Sequence, residues 1–177
     1  LLLVNVWLVA RRSLWNYAFG IAAVLLYALI FWEARLYAVF ALQFLFLALN
    51  LYGLWNWRRA ASDGQDVPVG WMGARARAAT ALAVLALTGA LALLLARTTD
   101  AASPLADSLT TALSLAAQYW QARRRAETWA LWSLVNLASV WLYATQALWA
   151  TAAVYALLLA VAVYGWRSWA RAANGDA

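Results

Sequence analysis

Uncharged polar side chains that can hydrogen-bond a ligand, but cannot perform acid–base chemistry, recur inside the apolar stretches of this sequence. The clearest case is "QFLFLALNLYGLWNW", in which Gln43 and Asn50 stand seven residues apart. Seven residues are two helical turns, so both amides lie on one face of a helix. Because a buried amide without a hydrogen-bond partner costs roughly 2 kcal/mol or more, we expect both side chains to face protein or a cavity.

Two further segments carry polar or aromatic residues at the alternating spacing of three and four that marks one helix face. The first stripe is Asp107, Thr111, Ser114, Gln118 and Gln121, the second is Trp129, Trp132, Asn136, Ser139 and Tyr143, and a shorter one is Asn16, Gly20 and Tyr27. Amides and hydroxyls supply donors and acceptors, and aromatic faces stack planar rings or attract delocalised cations. A cavity between these faces would suit a neutral or singly cationic aromatic metabolite. It would suit a phosphorylated one poorly, because no arginine lies deep within a predicted segment.

A purely structural interpretation stays open beside this one. Ser, Thr, Asn and Gln fasten membrane helices to one another at about 0.6 kcal/mol each on average. Trp and Tyr at the ends of apolar segments usually form an interfacial belt. We expect that belt role for the tryptophans that neighbour arginines, which are Trp15, Trp55, Trp57, Trp166 and Trp169.

The residue inventory excludes several kinds of chemistry. The chain has no cysteine, no histidine and no lysine. Thiolate metal sites, disulfides, a Ser–His protease centre and a Schiff-base lysine for retinal are therefore unavailable within this sequence. Acidic residues near the segments, Glu33 and Asp107, stand at segment ends, which favours uncoupled movement over a proton- or sodium-driven pump. We expect no enzyme activity, no cofactor and no metal, and a structural membrane subunit remains possible.

Composition places the chain in a membrane. Hydrophobic residues make up 67% of the sequence and charged residues 11%, against about 25% charged in a soluble domain. Residues 36–57, 78–96 and 128–166 carry no charge, and about twenty apolar residues cross the hydrocarbon core. We predict an all-α integral membrane protein with seven transmembrane helices. The segments are Leu1–Ala10, Asn16–Trp32, Leu36–Trp57, Ala78–Ala96, Leu105–Gln121, Thr128–Thr145 and Trp149–Trp169, the first of which we expect to be truncated.

Arginine placement predicts the orientation of these segments. All thirteen basic residues are arginine, and all but Arg35 and Arg97 follow the first, third, fifth or seventh segment. Cytoplasmic loops concentrate basic residues, so the N-terminus is predicted outside and the C-terminus inside. This distribution explains the net charge of +6 without a nucleic-acid partner.

Motifs recur at an offset of 112 residues. "YG" followed by Trp and Arg closes both residues 52–59 and residues 164–171, and Ala-Arg-Arg occurs at 10–12 and again at 122–124. We predict two parallel three-helix repeats joined by a linker helix, a 3+1+3 architecture with the substrate near the midplane. The predicted units are residues 1–57, a cytoplasmic loop 58–77, the linker helix 78–96, the second repeat 105–169 and a cytoplasmic tail 170–177.

The stretches "WNYAFGI", "QFLFLALNLYGLWNW", "AQYWQARRRAETWALWSLVN" and "YGWRSW" resemble the bacterial PnuC family of nicotinamide riboside transporters. The resemblance implies a fold similar to that of the SWEET sugar transporters. It implies facilitated diffusion of nicotinamide riboside across the bacterial inner membrane, followed by trapping through intracellular phosphorylation. The substrate-binding residues it implies are Gln43, Asn50, Gln118, Trp132, Asn136 and Tyr143.

Related substrates stay open at this point. Relatives in that family carry riboflavin or thiamine, and a sugar-type SWEET-like uniporter is a further alternative. The expected partners are the small-molecule substrate and the lipid bilayer, and we also expect a homo-oligomer.

Overall fold

The computed structural model describes residues 1–33, 35, 37–61, 67–99 and 103–175. Seven α-helices account for nearly all of this part of the chain. They are α1 (Leu2–Ala10), α2 (Asn16–Glu33), α3 (Tyr37–Ala60), α4 (Ala74–Thr98), α5 (Pro104–Ala122), α6 (Thr128–Thr145) and α7 (Trp149–Asn174). The prediction of an all-α protein with seven helices is confirmed.

Several helices are longer than predicted. Helix α4 begins at Ala74 rather than Ala78, and α7 continues to Asn174, so arginines assigned to loops lie inside helices. The absence of charge was a poor marker of helix ends, because arginine is a good helix former whose long side chain reaches the aqueous boundary. Helix α5 begins at Pro104, where the missing proline N–H costs no helical hydrogen bond. Within the predicted loop 58–77, residues 62–66, which include Gly64, lie outside the described residues.

Within the described part of the chain, four helices, α2, α3, α4 and α7, are long and apolar enough to cross a membrane. Large apolar side chains such as Leu29, Leu85 and Trp141 are about two-thirds exposed on the outer surface, as they would be against lipid. Helices α5 and α6 have 19 and 18 residues, but their polar stripes lower their hydropathy. The chain is therefore an integral membrane protein whose polar helix faces turn inward.

Helix packing forms a ring. Contacts run from α1 to α2, α3, α5, α6 and α7 in turn, and α7 packs back against α1. Among the described residues, α4 packs against α5 alone. Helix α4 is therefore an outer helix, and the other six surround a common interior.

Backbone conformation repeats at the 112-residue offset. In the described part of the chain, four non-glycine residues adopt a positive φ: Arg12 at 56°, Arg35 at 58°, Arg124 at 60° and Ala147 at 56°. Arg12 and Arg124 are 112 positions apart, and so are Arg35 and Ala147. A left-handed conformation is uncommon outside glycine, so its occurrence at equivalent turns is strong evidence that the two turns are built alike.

Two buried tryptophans join the halves of the ring. Trp57 donates its indole N–H to the carbonyl oxygen of Gln121 at 3.1 Å, and Trp169 donates to the carbonyl oxygen of Val9 at 3.2 Å. The two donor residues are 112 positions apart, and so are the two acceptor residues. The centroids of the two indole rings lie 5.7 Å apart. We call Trp57, Trp169 and their two hydrogen bonds the tryptophan pair.

The belt prediction is wrong for Trp57 and Trp169, which are 0% exposed. The prediction relied on the neighbouring arginines, which mark a helix end but not the face on which a side chain lies. At the end of a helix in the ring, one face is turned toward lipid and the other toward protein. Trp15 and Trp55 are 71% and 54% exposed, as a belt position requires. Trp166 is half-buried and packs edge-on against Trp71.

The residues that directly precede the two tryptophans form a second pair of reciprocal contacts. Asn56 donates to the carbonyl oxygen of Ala122 at 2.7 Å, and Ser168 donates to that of Ala10 at 3.4 Å. These carbonyls belong to the ends of α5 and α1, where backbone oxygens lack helical partners. The ends of α3 and α7 thereby satisfy groups that would otherwise be buried without hydrogen bonds.

The connection before α4 is fastened to the turn between α5 and α6. Gly70 accepts from the N–H of Ala126 at 3.0 Å and donates to the carbonyl of Arg124 at 3.1 Å. The Glu127 carboxylate accepts from the N–H of Met72 and pairs with Arg77 at 2.6 Å. Burial, and then the charge of Arg125, lower the pKa of Arg124 from its ordinary value, and the guanidinium remains cationic. This end of the protein, which we call the arginine-rich end, is closely packed.

Prediction on the packing of Gly165. A Cβ at this position would lie 2.5 Å from the indole ring of Trp129, which is fully buried. We expect Gly165→Ala to destabilise the protein by about 2 kcal/mol through overpacking, measured as a lower temperature of thermal unfolding in detergent. Gly89→Ala is the control, because nothing lies within 4 Å of its Cβ position. Equal effects of the two substitutions would contradict this packing.

Candidate functional site

A central cavity lies inside the ring of helices. Its volume is about 280 Å³, close to the lower bound for small-molecule sites of about 300 Å³. Every helix of the ring contributes to its wall. The lining residues with polar or aromatic side chains are Asn5, Tyr27, Gln43, Phe46, Asn50, Ser114, Gln118, Gln121, Trp129, Trp132, Asn136 and Tyr155.

The structure brings most of the predicted site residues to this cavity. Gln43, Asn50, Gln118, Trp132 and Asn136 all line it, and the four amides among them are less than 10% exposed. They come from three helices that are distant in sequence. The polar stripes of α3, α5 and α6 therefore converge on one space.

Tyr143 is not brought to the central cavity. It lines a neighbouring cavity of about 680 Å³ near the first turn of α1, which shares Gln43 and Tyr155 with the central one. The Tyr143 ring stacks on that of Tyr155 with their centroids 5.3 Å apart. Tyr143 is the last residue of its stripe, which leaves the central cavity as α6 continues outward, and its role in substrate binding stays a prediction.

The amides of α3 are oriented by their own helix. Asn50 donates its side-chain N–H to the carbonyl of Phe46 at 2.8 Å, and Gln43 donates to that of Val39 at 3.3 Å. The oxygen and the second N–H of each carboxamide are then left for a ligand. Asn50 reaches its position because Gly20 of α2 has no side chain, since a Cβ there would lie 2.6 Å from Asn50 Oδ1.

The opposite wall presents donors. Trp132 donates its indole N–H to the side-chain oxygen of Gln121 at 3.0 Å, which leaves the Gln121 amide N–H groups for another acceptor. The Trp129 indole nitrogen is buried and has no hydrogen-bond partner among the described residues. The cavity thus offers carboxamide donors and acceptors from α3, α5 and α6, between aromatic faces.

Asn5 and Tyr155 line the cavity and were not predicted. Asn5 is the only polar residue in the apolar stretch 1–10, and Tyr155 lies at the 112-residue offset from Gln43. Both signals were present in the sequence, but only the repeat relation could have singled out Tyr155. Asp107, at the far end of the α5 stripe, is exposed.

Most lining residues form pairs at the 112-residue offset. The pairs are Leu2 and Ser114, Val6 and Gln118, Gly20 and Trp132, Ala23 and Val135, Val24 and Asn136, Gln43 and Tyr155, Phe46 and Leu158, and Asn50 and Ala162. Equivalent backbone positions therefore face the same space from opposite sides. Their side chains differ, with a small residue commonly opposite a large or polar one, so the cavity has an asymmetric surface suited to an asymmetric ligand.

Helix-fastening contacts account for other polar residues. Asn5 donates to the carbonyl of Asn16, and Thr128 donates to the carbonyl of Ala117 at 2.6 Å. These bonds join neighbouring helices of the ring, so the structural interpretation is correct for part of the polar set. The amides of Gln43 and Asn50 bond only within α3 among the described contacts, and they do not fasten one helix to another.

The electrostatics of the cavity are neutral. None of the described residues that line it carries a formal charge, whereas arginines crowd the arginine-rich end outside it. Such a site can bind a small planar ligand by stacking and hydrogen bonds. It lacks both a nucleophile–base pair and a cluster of metal ligands, since the described residues hold no group of three or more His, Cys, Asp or Glu.

An integral membrane fold with a neutral cavity at its centre is typical of helical membrane transporters. A family model described as "Nicotinamide mononucleotide transporter" matches residues 1–171. The chain belongs to this family.

Individual relatives agree with the family assignment. The chain is similar to "Nicotinamide riboside transporter PnuC" of Escherichia coli (strain K12), at 28% identity over 94% of this chain and 80% of the relative. It is similar to the protein of the same name from Neisseria mucosa, at 25% identity over 92% of this chain and 66% of the relative. A solved structure, "Crystal structure of the Vitamin B3 transporter PnuC", has a TM-score of 0.79 at 24% identity and covers 99% of this chain and 79% of its own. These relatives are transporters rather than enzymes, and that structure shares the fold.

Prediction on access to the cavity. The chain has no cysteine of its own, so single cysteines report on their surroundings directly. We expect Asn136→Cys to react with a small methanethiosulfonate reagent, because thiolate forms only where water reaches. Leu137→Cys, one residue away and 56% exposed on the outer surface, should stay unmodified in a bilayer. Modification of Leu137→Cys alone would show that α6 is rotated from the orientation described.

Proposed function

We propose that this protein mediates facilitated diffusion of nicotinamide riboside across the bacterial inner membrane. The carrying observation is the neutral cavity of amides and tryptophans at the centre of the ring. A pyridinium ring fits between aromatic faces, which attract delocalised cations. Ribose hydroxyls and a carboxamide match the acceptors of α3 and the donors of Gln121.

The family description names a mononucleotide, whereas the similar relatives are named for the riboside. The chemistry of this cavity supports the riboside. A phosphate group would enter a space in which no described lining residue offers a cation, and an unpaired charge is expensive to bury. Phosphate recognition in proteins commonly relies on arginine forks, and all arginines of this chain except Arg35 and Arg97 lie at the arginine-rich end.

We propose the 3+1+3 architecture as the scaffold of transport. The first repeat comprises residues 1–57, the second residues 105–169, and residues 78–96 form the linker helix between them. Support comes from the ring of six helices with α4 outside it, and from turns, hydrogen bonds and cavity residues that recur at one offset. Seven crossings, with the arginine-rich end in the cytoplasm, follow from the distribution of basic residues. Residues 58–77 and 170–177 would then be cytoplasmic.

Uncoupled movement completes the proposal. No described residue that lines the cavity is acidic, and a proton- or sodium-coupled carrier usually has an ionisable group within the membrane. Net uptake would then require removal of free substrate inside, for which intracellular phosphorylation is the proposed means. One chain forms the whole cavity, so the proposed homo-oligomer would assemble complete transport units.

Prediction on ligand selectivity. Purified protein should bind nicotinamide riboside, and nicotinamide mononucleotide should bind at least about a hundredfold more weakly, the cost of roughly 3 kcal/mol for an uncompensated charge. Isothermal titration with the riboside, the mononucleotide, riboflavin and thiamine side by side measures this. Equal affinity for riboside and mononucleotide would overturn the argument from the neutral cavity, and preference for riboflavin or thiamine would reassign the substrate.

Prediction on the binding residues. Asn136→Ala and Gln43→Ala should each weaken riboside binding by at least ~1 kcal/mol, because each removes a buried hydrogen-bonding group. Gln146→Ala is the control, since Gln146 is an exposed amide at the end of α6 outside the cavity. The same titration on the three variants decides the matter. Wild-type affinity in both cavity variants would remove the proposed site.

A further inference from the structure

An apolar groove runs along the outer face of the protein between α4 and α5. Its volume is about 360 Å³, and its walls are small and apolar residues such as Ala79 and Ala83 of α4 and Ala116 of α5. Along α4 it extends from Ala76 to Leu87, which at 1.5 Å per residue is about 16 Å. That length is about half of a hydrocarbon core of ~30 Å, the depth of one leaflet.

Polar groups are confined to the end of the groove near the arginine-rich end. There, Trp120 of α5 donates its indole N–H to the hydroxyl of Thr80 of α4 at 2.8 Å, which joins the two helices at the bottom of the groove. The guanidinium of Arg123 lies over the rings of Tyr119 and Trp120, at 5.7 and 5.8 Å from their centroids. It also donates to the hydroxyl of Tyr119 at 2.8 Å. A cation is therefore held at the mouth of an apolar channel that opens toward lipid.

We propose that this groove binds one acyl chain of an anionic phospholipid whose phosphate pairs with Arg123. The apolar walls match an acyl chain, and the cation matches the lipid phosphate. Arginine is suited to this role because its guanidinium stacks on aromatic rings and still presents N–H groups to a phosphate. A helix from a second copy of the chain fits this groove less well than an acyl chain does. A helix is about 10 Å wide, whereas the groove is the narrow space between two helices that pack directly against each other.

The internal repeat supplies a matched comparison site. Arg11 stands 112 positions before Arg123, at the end of α1, and its guanidinium lies 6.0 Å from the ring centroid of Trp7. Trp7 is the offset partner of Tyr119, so the arginine-over-ring arrangement is common to both. No described helix packs beside α1 as α4 packs beside α5. Arg11 therefore has the same local setting without the groove.

The test uses native mass spectrometry of the purified protein with palmitoyl-oleoyl phosphatidylglycerol and palmitoyl-oleoyl phosphatidylethanolamine. Wild-type protein should retain phosphatidylglycerol in preference. Arg123→Gln should lower retention of phosphatidylglycerol about fivefold, the effect expected of one interfacial cation. Arg11→Gln should leave retention unchanged. Equal losses in the two arginine variants would overturn the proposal, because they would reflect general surface charge.

A second pair of variants tests the groove itself. Ala83→Leu fills it, and Ala86→Leu adds the same group at another exposed position of α4. Ala83→Leu should reduce retention of both lipids, and Ala86→Leu should not. Unchanged retention in Ala83→Leu would overturn the proposal. So would a protein–protein dimer, free of lipid, that is present in wild type and lost in Ala83→Leu, because the occupant would then be a second copy.

Discussion

The tryptophan pair is the interaction on which the rest of the ring depends. Each indole N–H reaches across to a backbone carbonyl at the end of a helix in the other half, 3.1 Å for Trp57 and 3.2 Å for Trp169. A buried indole N–H without an acceptor costs about 1–3 kcal/mol, and both tryptophans are fully buried, so each contact satisfies a donor that would otherwise be unpaired. They align the end of α3 with α5 and the end of α7 with α1, which closes the ring around the cavity.

The closed ring of six helices determines which residues face the cavity. Equivalent backbone positions face one another across it, and their side chains have diverged, as Gly20 opposite Trp132 illustrates. Gly20 makes room for the Asn50 carboxamide, whereas Trp132 fills the equivalent place and is held by Gln121. Backbone positions 112 residues apart thereby produce an asymmetric chemical surface, with carboxamides on α3, α5 and α6. An asymmetric nucleoside could bind such a surface in a single orientation.

The helices and much of the cavity wall were predictable from the sequence, because uncharged length and polar spacing are local properties. Gln43, Asn50, Gln118, Trp132 and Asn136 reach the cavity as predicted. Burial at helix ends was not predictable, since a tryptophan beside arginines can face lipid, as Trp55 does, or protein, as Trp57 does. That choice is set by which helix neighbours it, and neighbours 64 or 160 positions away leave no trace in local pattern. Tyr143 lines the neighbouring cavity instead, because its stripe continues beyond the central one.

The central claim is that the neutral cavity carries nicotinamide riboside without coupling to a proton or sodium gradient. Transport in proteoliposomes tests this claim most directly. With the membrane potential held at zero, because the pyridinium ring is a cation, labelled nicotinamide riboside should equilibrate to equal concentrations inside and outside, with no dependence on a proton or sodium gradient. Labelled nicotinamide mononucleotide should remain outside under the same conditions. Gradient-driven accumulation of the riboside, or equal passage of the mononucleotide, would contradict the account.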